Sequence, residues 1–404
     1  MPSEVHAVLS KPKFILAMKQ IVNGRILTPQ GWVDGGSVVV GDGKILEVAN
    51  TAFPIEGAEI IDAHGCYVVP GGIELHTHGA GGRDFMEDSE EAFRTAVATH
   101  MQYGTTAIYP TLSTSTVPMY EAAVKIATKL MAEPGSPIMG LHFEGPYFST
   151  KMAGAQNPER ITPPIPEDYN RLLASGVIKR WDVAPELPGA KEFIEACVAH
   201  GCTPCIGHTA GAPEDVEMAY KAGARHATHF TNAMSSLHKN REYKVAGVVE
   251  AVYAIPDFTV EVIADGIHVP PVVMRQIFNS KGVKHMCLCT DSLAVAGSNA
   301  TRTFNDNEII EDGVCKLADR SALAGSIATM DRLVRTAVQM AGFPMEVACR
   351  MISETPAKIM GIYDRKGSLE RGKDADIIMF DAEQQLKFVM QNGNVVRCDF
   401  CAEA

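Results

Sequence analysis

The chain has 404 residues, 46% hydrophobic and 21% charged, which suits one large domain plus a smaller one with a substantial core. A formal charge of −12 with no block of like charge argues against a nucleic-acid partner. No stretch reads as a signal peptide or is apolar and long enough to span a bilayer, so no membrane partner is expected and the expected compartment is the cytoplasm.

Residues 1–13 are polar and unpatterned and read as an extension or tag. From 14 to 69 come short alternating segments with Gly turns, IVNGRILTPQGW, SVVVGDGKILEVA and EIIDAHGCYVV. They predict small antiparallel strands, with a tight hairpin at Asp42-Gly43. From residue 70 apolar strand candidates alternate with amphipathic helices. The strands fall near 68–78, 105–113, 138–146, 178–185, 203–209, 226–232, 259–266 and 285–291. The helices fall over 89–102, 117–131, 190–200, 213–222 and 270–280. Eight such units predict a (β/α)8 barrel over 70–354. Residues 297–320 read as a polar, hairpin-like insertion before a helix over 327–340. After a helical stretch over 346–360 short strands return, so 355–404 is expected to join 14–69 in one small β-sandwich domain. Ten cysteines over this length are no disulfide scaffold, and the CxxC pair Cys202 and Cys205 reads as buried thiols.

Chemistry gathers at the strand ends. The run 138–149, IMGLHFEGPYFS, delivers Glu144 to a rim, and period two puts His142 on the same face, as a candidate to support Glu144. His76 and His78 in GGIELHTHGAGG share one face of the first strand and can reach one metal ion. His208 and His229 are one βα unit apart, the ends of neighbouring strands. With Glu144 they form the three-ligand set of a catalytic zinc that keeps a position open. Asp291 closes the last strand, where a carboxylate not needed for coordination suits a general base and acid. His268, in ADGIHV, is a candidate substrate contact; the remaining histidines read as structural or solvated.

In chain order PGGIELHTHGAGG, GLHFEGPYFS, GAQNPE, IGHTAG, ATHFTNAM, ADGIHV, CTDSLAVAG and LAGSIATMD resemble the amidohydrolase superfamily, in particular its sugar-phosphate deacetylases, from about 21 to 396. The resemblance implies hydrolysis of N-acetyl-D-glucosamine 6-phosphate to D-glucosamine 6-phosphate and acetate. It implies a metal on Glu144, His208 and His229, with Asp291 moving the proton. His76 and His78 match the version holding a second ion, with Glu144 as the bridge; IKRWDVAPE offers no Lys at the end of strand four to bridge instead. One or two divalent ions are therefore expected, zinc first, with iron, manganese or cobalt also suited to these ligands. The resemblance further implies that the phosphate meets backbone amides at Asn232 and Ala233 and the guanidinium of Arg241, with His238 reaching across a homodimer. Ala155, Gln156, His268 and Leu323 take the other substrate-contact positions. The family commonly has His where this chain has Gln156, and the loop SSLHKNREYKVAG departs from its usual sequence. Another N-acetylated substrate, or a silent barrel used as a scaffold, are the alternative readings.

Overall fold

The computed structural model describes residues 18–300 and 308–400; the expected extension over 1–13 lies outside them. Eight parallel strands follow one another around a barrel: Gly72–Thr77, Thr105–Leu112, Leu141–Phe143, Ile178–Val183, Thr203–Ile206, His226–Ala227, Thr259–Ile263 and Met286–Cys289. The eighth meets the first at the mouth, where Asp291 N–H donates to His76 O at 2.9 Å and His78 N–H to Ser292 O at 2.8 Å. That seam joins the two histidines of the first strand to the acid of the last.

Two helices, Val117–Met131 and Pro213–Ala222, have the predicted limits, and both open on Pro in the first turn, where the missing N–H costs nothing. Helix Glu90–Gln102 begins one residue later than expected because Ser89 caps it, accepting from Ala92 N–H at 3.3 Å. The expected helix over 327–340 starts at Met330 and ends in a π-helical turn, Thr336–Met340. The strands were expected longer than they are. The third is three residues and the sixth two, because the chain leaves the sheet as soon as it reaches the rim. The expected 68–78 strand is two: Tyr67–Pro70 pairs in a different sheet from Gly72–Thr77.

Both ends of the chain build a β-sandwich. One sheet orders Lys44–Ala49, Ser37–Gly41, Met18–Val22 and Glu59–Asp62; the other orders Asn394–Cys398, Leu386–Gln391, Ile377–Phe380, Tyr67–Pro70, Arg25–Thr28 and Gly31–Asp34. Between them Ile21, Val38, Ile45, Val68, Met379 and Phe388 are buried. Asp42 (φ 52) and Gly43 (φ 72) are both left-handed, as a type I′ hairpin requires. Ala357, in helix Glu354–Ile359, packs with Ile73, Leu75, Ala107, Tyr109 and Cys287. The insertion after the eighth strand is a three-stranded sheet, Glu308–Glu311, Val314–Leu317 and Leu323–Gly325; its residues 301–307 are outside the description.

An aromatic cluster fixes the third strand relative to the fourth. Phe143 meets Trp181 edge-on at 4.9 Å and stacks on Tyr120 at 4.4 Å, while Trp181 stacks on Tyr147 at 5.5 Å. Each pair adds about 0.5–1.5 kcal/mol beyond its buried area. Trp181 Nε1–H donates to Gly145 O at 2.8 Å, which pins the residue after Glu144.

Candidate metal centre

Six side chains from five strand ends converge at the mouth, all buried: His76, His78, Glu144, His208, His229 and Asp291. Glu144 Oε1 lies 3.0 Å from His208 Nε2 and 3.0 Å from His229 Nε2; Oε2 lies 3.2 Å from His78 Nε2. His76 Nε2 is 3.6 Å from Glu144 Oε1 and 3.4 Å from Asp291 Oδ1, and His78 Nε2 is 3.3 Å from the same Asp291 oxygen. Two triads result, His76–His78–Glu144 and Glu144–His208–His229, each with ligand atoms within 4.8 Å of one another.

The backbone aims these groups. His208 (φ 46), His229 (φ 32) and Asp291 (φ 45) all adopt left-handed conformations that residues other than glycine rarely take. Each follows a strand that has just ended, and the turn swings the side chain across the mouth. His208 is stacked on Phe148 at 4.4 Å, and its carbonyl accepts from Ser149 N–H at 2.9 Å.

The donor set fits a divalent cation. His208 Nδ1–H donates to Met152 O and His76 Nδ1–H to Glu261 Oε1, each at 2.8 Å. That leaves both Nε2 lone pairs facing inward, the tautomer a metal ligand needs. His76 Nε2 is buried with no hydrogen-bond partner among the described residues. His208 and His229 present Nε2 to each other at 3.1 Å, a contact two protonated imidazoles would not tolerate. Without a cation the carboxylates draw protons in. Burial acts against charge on His78, yet bonds to Asp291 and Glu144 raise it to about 10. Burial likewise acts to raise the Glu144 carboxyl, and His76, His208 and His229 outweigh it, holding it well below the usual range. Cation uptake here therefore competes with protons.

Charges in the barrel interior support these ligands, and sequence reading passed over them. Glu261, fully buried, accepts from His76 Nδ1 and from both terminal nitrogens of the fully buried Arg180. Their signal was charge set within an otherwise apolar strand, Arg180 and Asp182 in IKRWDV and Glu261 in TVEVI. His142 supports a different partner from the one expected. Its Nδ1 meets Thr111 Oγ1 at 3.0 Å, its Nε2 lies 3.0 Å from Asp182 Oδ2, and its ring meets His76 edge-on at 4.7 Å rather than bonding Glu144. Cys202 and Cys205 are buried, as expected.

The centre opens into a cavity of about 1070 Å³ lined also by Ala155, Gln156, Asn232, Ala233, His268 and Leu323, so these expected contact residues are brought together. His268 Nδ1 is held by Asp265 Oδ2 at 2.8 Å. The N–H of Asn232, expected to meet phosphate, donates to His229 O at 2.9 Å, because the chain turns sharply after that histidine. His238 and Arg241 are not brought to this cavity. They belong to an exposed hairpin, His238–Asn240 paired with Tyr243–Val245, and the cations lining the cavity are Arg83 and Lys151.

Residues 67–398 match the amidohydrolase family. The chain belongs to that family. As an amidohydrolase it is 32% identical over 380 residues to the N-acetylglucosamine-6-phosphate deacetylase of Bacillus subtilis (strain 168), covering 92% of this chain and 95% of that protein. It is 30% identical over 332 residues to the N-acetylgalactosamine-6-phosphate deacetylase of Shewanella sp. (strain ANA-3), covering 81% and 83%. The crystal structure of N-acetylglucosamine-6-phosphate deacetylase from Pasteurella multocida superposes with a TM-score of 0.89 at 31% identity, covering 94% of this chain and 99% of that one.

Proposed function

We propose that this amidohydrolase hydrolyses N-acetyl-D-glucosamine 6-phosphate to D-glucosamine 6-phosphate and acetate. The observation that carries the reading is Glu144 standing between two imidazole pairs with Asp291 opposite, inside a cavity roomy enough for a sugar phosphate. Glu144, His208 and His229 would hold one divalent ion and His76, His78 and Glu144 a second; zinc is the first choice, then iron, manganese or cobalt. A cation held there supplies Lewis acidity, polarising the amide carbonyl and acidifying a water.

The chain's own groups do the rest. Asp291 Oδ1 takes the proton of the attacking water and returns it to the leaving amine, a role worth about 10²–10⁴ in rate. His268, its Nδ1 fixed by Asp265, would present Nε2 to the sugar. Ala155, Gln156 and Leu323 would flank it, with Asn232 and Ala233 at the phosphate end. Arg241 and His238 would complete the phosphate site from the partner copy of a homodimer in the cytoplasm, since their own hairpin projects outward. Residues 14–69 with 355–404 would form the β-sandwich unit and 70–354 the catalytic barrel.

Acetate release from phosphorylated and free N-acetyl sugars, with metal content in parallel, tests the reading. Turnover confined to the 6-phosphate is expected, and equal turnover of free N-acetylglucosamine would refute it. The Shewanella relative makes N-acetylgalactosamine 6-phosphate the second substrate for that panel.

A further inference from the structure

Glu144 is common to both cation triads, so whatever orients its carboxylate divides the site between them. Oε1 faces His208 and His229, each at 3.0 Å, with His76 farther off at 3.6 Å. Oε2 is shared: His78 Nε2 stands at 3.2 Å, and Gln156 Nε2 donates to it at 2.6 Å. The orientation of Gln156 is fixed from behind, because Thr114 N–H donates to its Oε1 at 2.9 Å. A flipped amide would set oxygen against oxygen at Glu144 and N–H against N–H at Thr114. The loop is itself braced by Gln156 N–H donating to Ala153 O at 3.0 Å.

An amide donor on a carboxylate is charge-assisted, about twice as strong as a neutral bond. It occupies a lone pair of the oxygen nearer His78 and leaves the oxygen between His208 and His229 fully available. We propose that Gln156 is a positioning residue that makes the two cation sites unequal, favouring an ion at Glu144–His208–His229 over one at His76–His78–Glu144. This rests only on the cation-binding part of the function proposed above, and its test measures metal release and no turnover, so its failure is distinguishable from failure of the proposed reaction.

In that test, full-length protein loaded with Co²⁺ is titrated with a chelator of known affinity, reading visible absorption and bound metal; His78→Gln, which lacks one triad, assigns the steps. Wild type should release its ions in two steps. In Gln156→Met, similar in bulk but no donor, the ratio of the two dissociation constants should shrink at least tenfold, chiefly through tighter retention at His76 and His78. Gln156→His, which keeps an N–H, should restore the wild-type ratio. Gln156→Asn, too short to span Thr114 and Glu144, should behave like the Met variant and covers the case in which Met disturbs the loop. Release of both ions from wild type in one step, or an unchanged or larger ratio in both the Met and Asn variants, would overturn the inference.

Discussion

Replacing Glu261 by Gln tests how far the metal centre depends on charges that never touch it. The change keeps shape and hydrogen-bonding length and removes one negative charge from a site with no solvent access. Arg180 would keep Thr228 Oγ1 at 2.8 Å, Leu75 O at 3.1 Å and the Asp182 carboxylate at 3.7 Å, but lose its bidentate partner. Breaking one side of a buried pair costs about 3–5 kcal/mol. His76 Nδ1–H would donate to a neutral carbonyl, and losing a carboxylate behind a metal-binding His lowers affinity about 10–100-fold. The assay is denaturant unfolding followed through the buried Trp181, in a Trp32→Phe background so that the signal comes from the barrel alone, with chelator competition on the same samples. Arg180→Met completes a double-mutant cycle, in which the double variant should cost less than the sum of the singles. A Glu261→Gln protein within about 0.5 kcal/mol of wild type, with unchanged metal affinity, would refute the assignment.

Asp291→Asn should lower kcat by about 10²–10⁴ while the bound metal is retained; wild-type turnover would remove Asp291 from the chemistry. Burial holds His100 neutral, its imidazole pushed down to about 4 despite the Gly79 carbonyl beside it. The unfolded chain protonates it near the ordinary 6.5, so its contribution is intact above that pH and is lost as pH falls from 6.5 to 4, by up to about 3 kcal/mol. Unfolding midpoints against pH should therefore fall less steeply for His100→Gln over that range, and parallel curves would contradict this. Arg241→Ala should raise KM for the 6-phosphate about tenfold, as the loss of one charge-assisted bond to phosphate requires. An unchanged KM would shift the search to Arg83 and Lys151, measured by the same kinetics.

The barrel and its rim were legible because apolar runs ending in His, Glu or Asp followed by turn residues carry both the strand and its exit. What misled was length. A run such as HATHFTN reads as one strand, yet only His226–Ala227 pairs, since left-handed turns at His229 and Thr231 (φ 79) follow at once. Periodicity also overreached at His142, whose side chain stays within the barrel with Asp182 while Glu144, one step past the strand end, turns to the mouth. Glu74, Arg180 and Glu261 went unread because in a closed barrel an inward charge looks, in one dimension, like an interruption of an apolar strand. The placement of Arg241 rested on resemblance, and its loop was the place where the resemblance was thinnest.

The twisted backbone at His208, His229 and Asp291 sets stability and chemistry at odds. An L-residue in that conformation costs about 1 kcal/mol or more at each position relative to glycine. Selection for heat resistance alone would thus favour glycine at these three corners and yield sturdier, inert proteins, whereas selection that also demands turnover must find its gains elsewhere, in the sandwich or the outer helices.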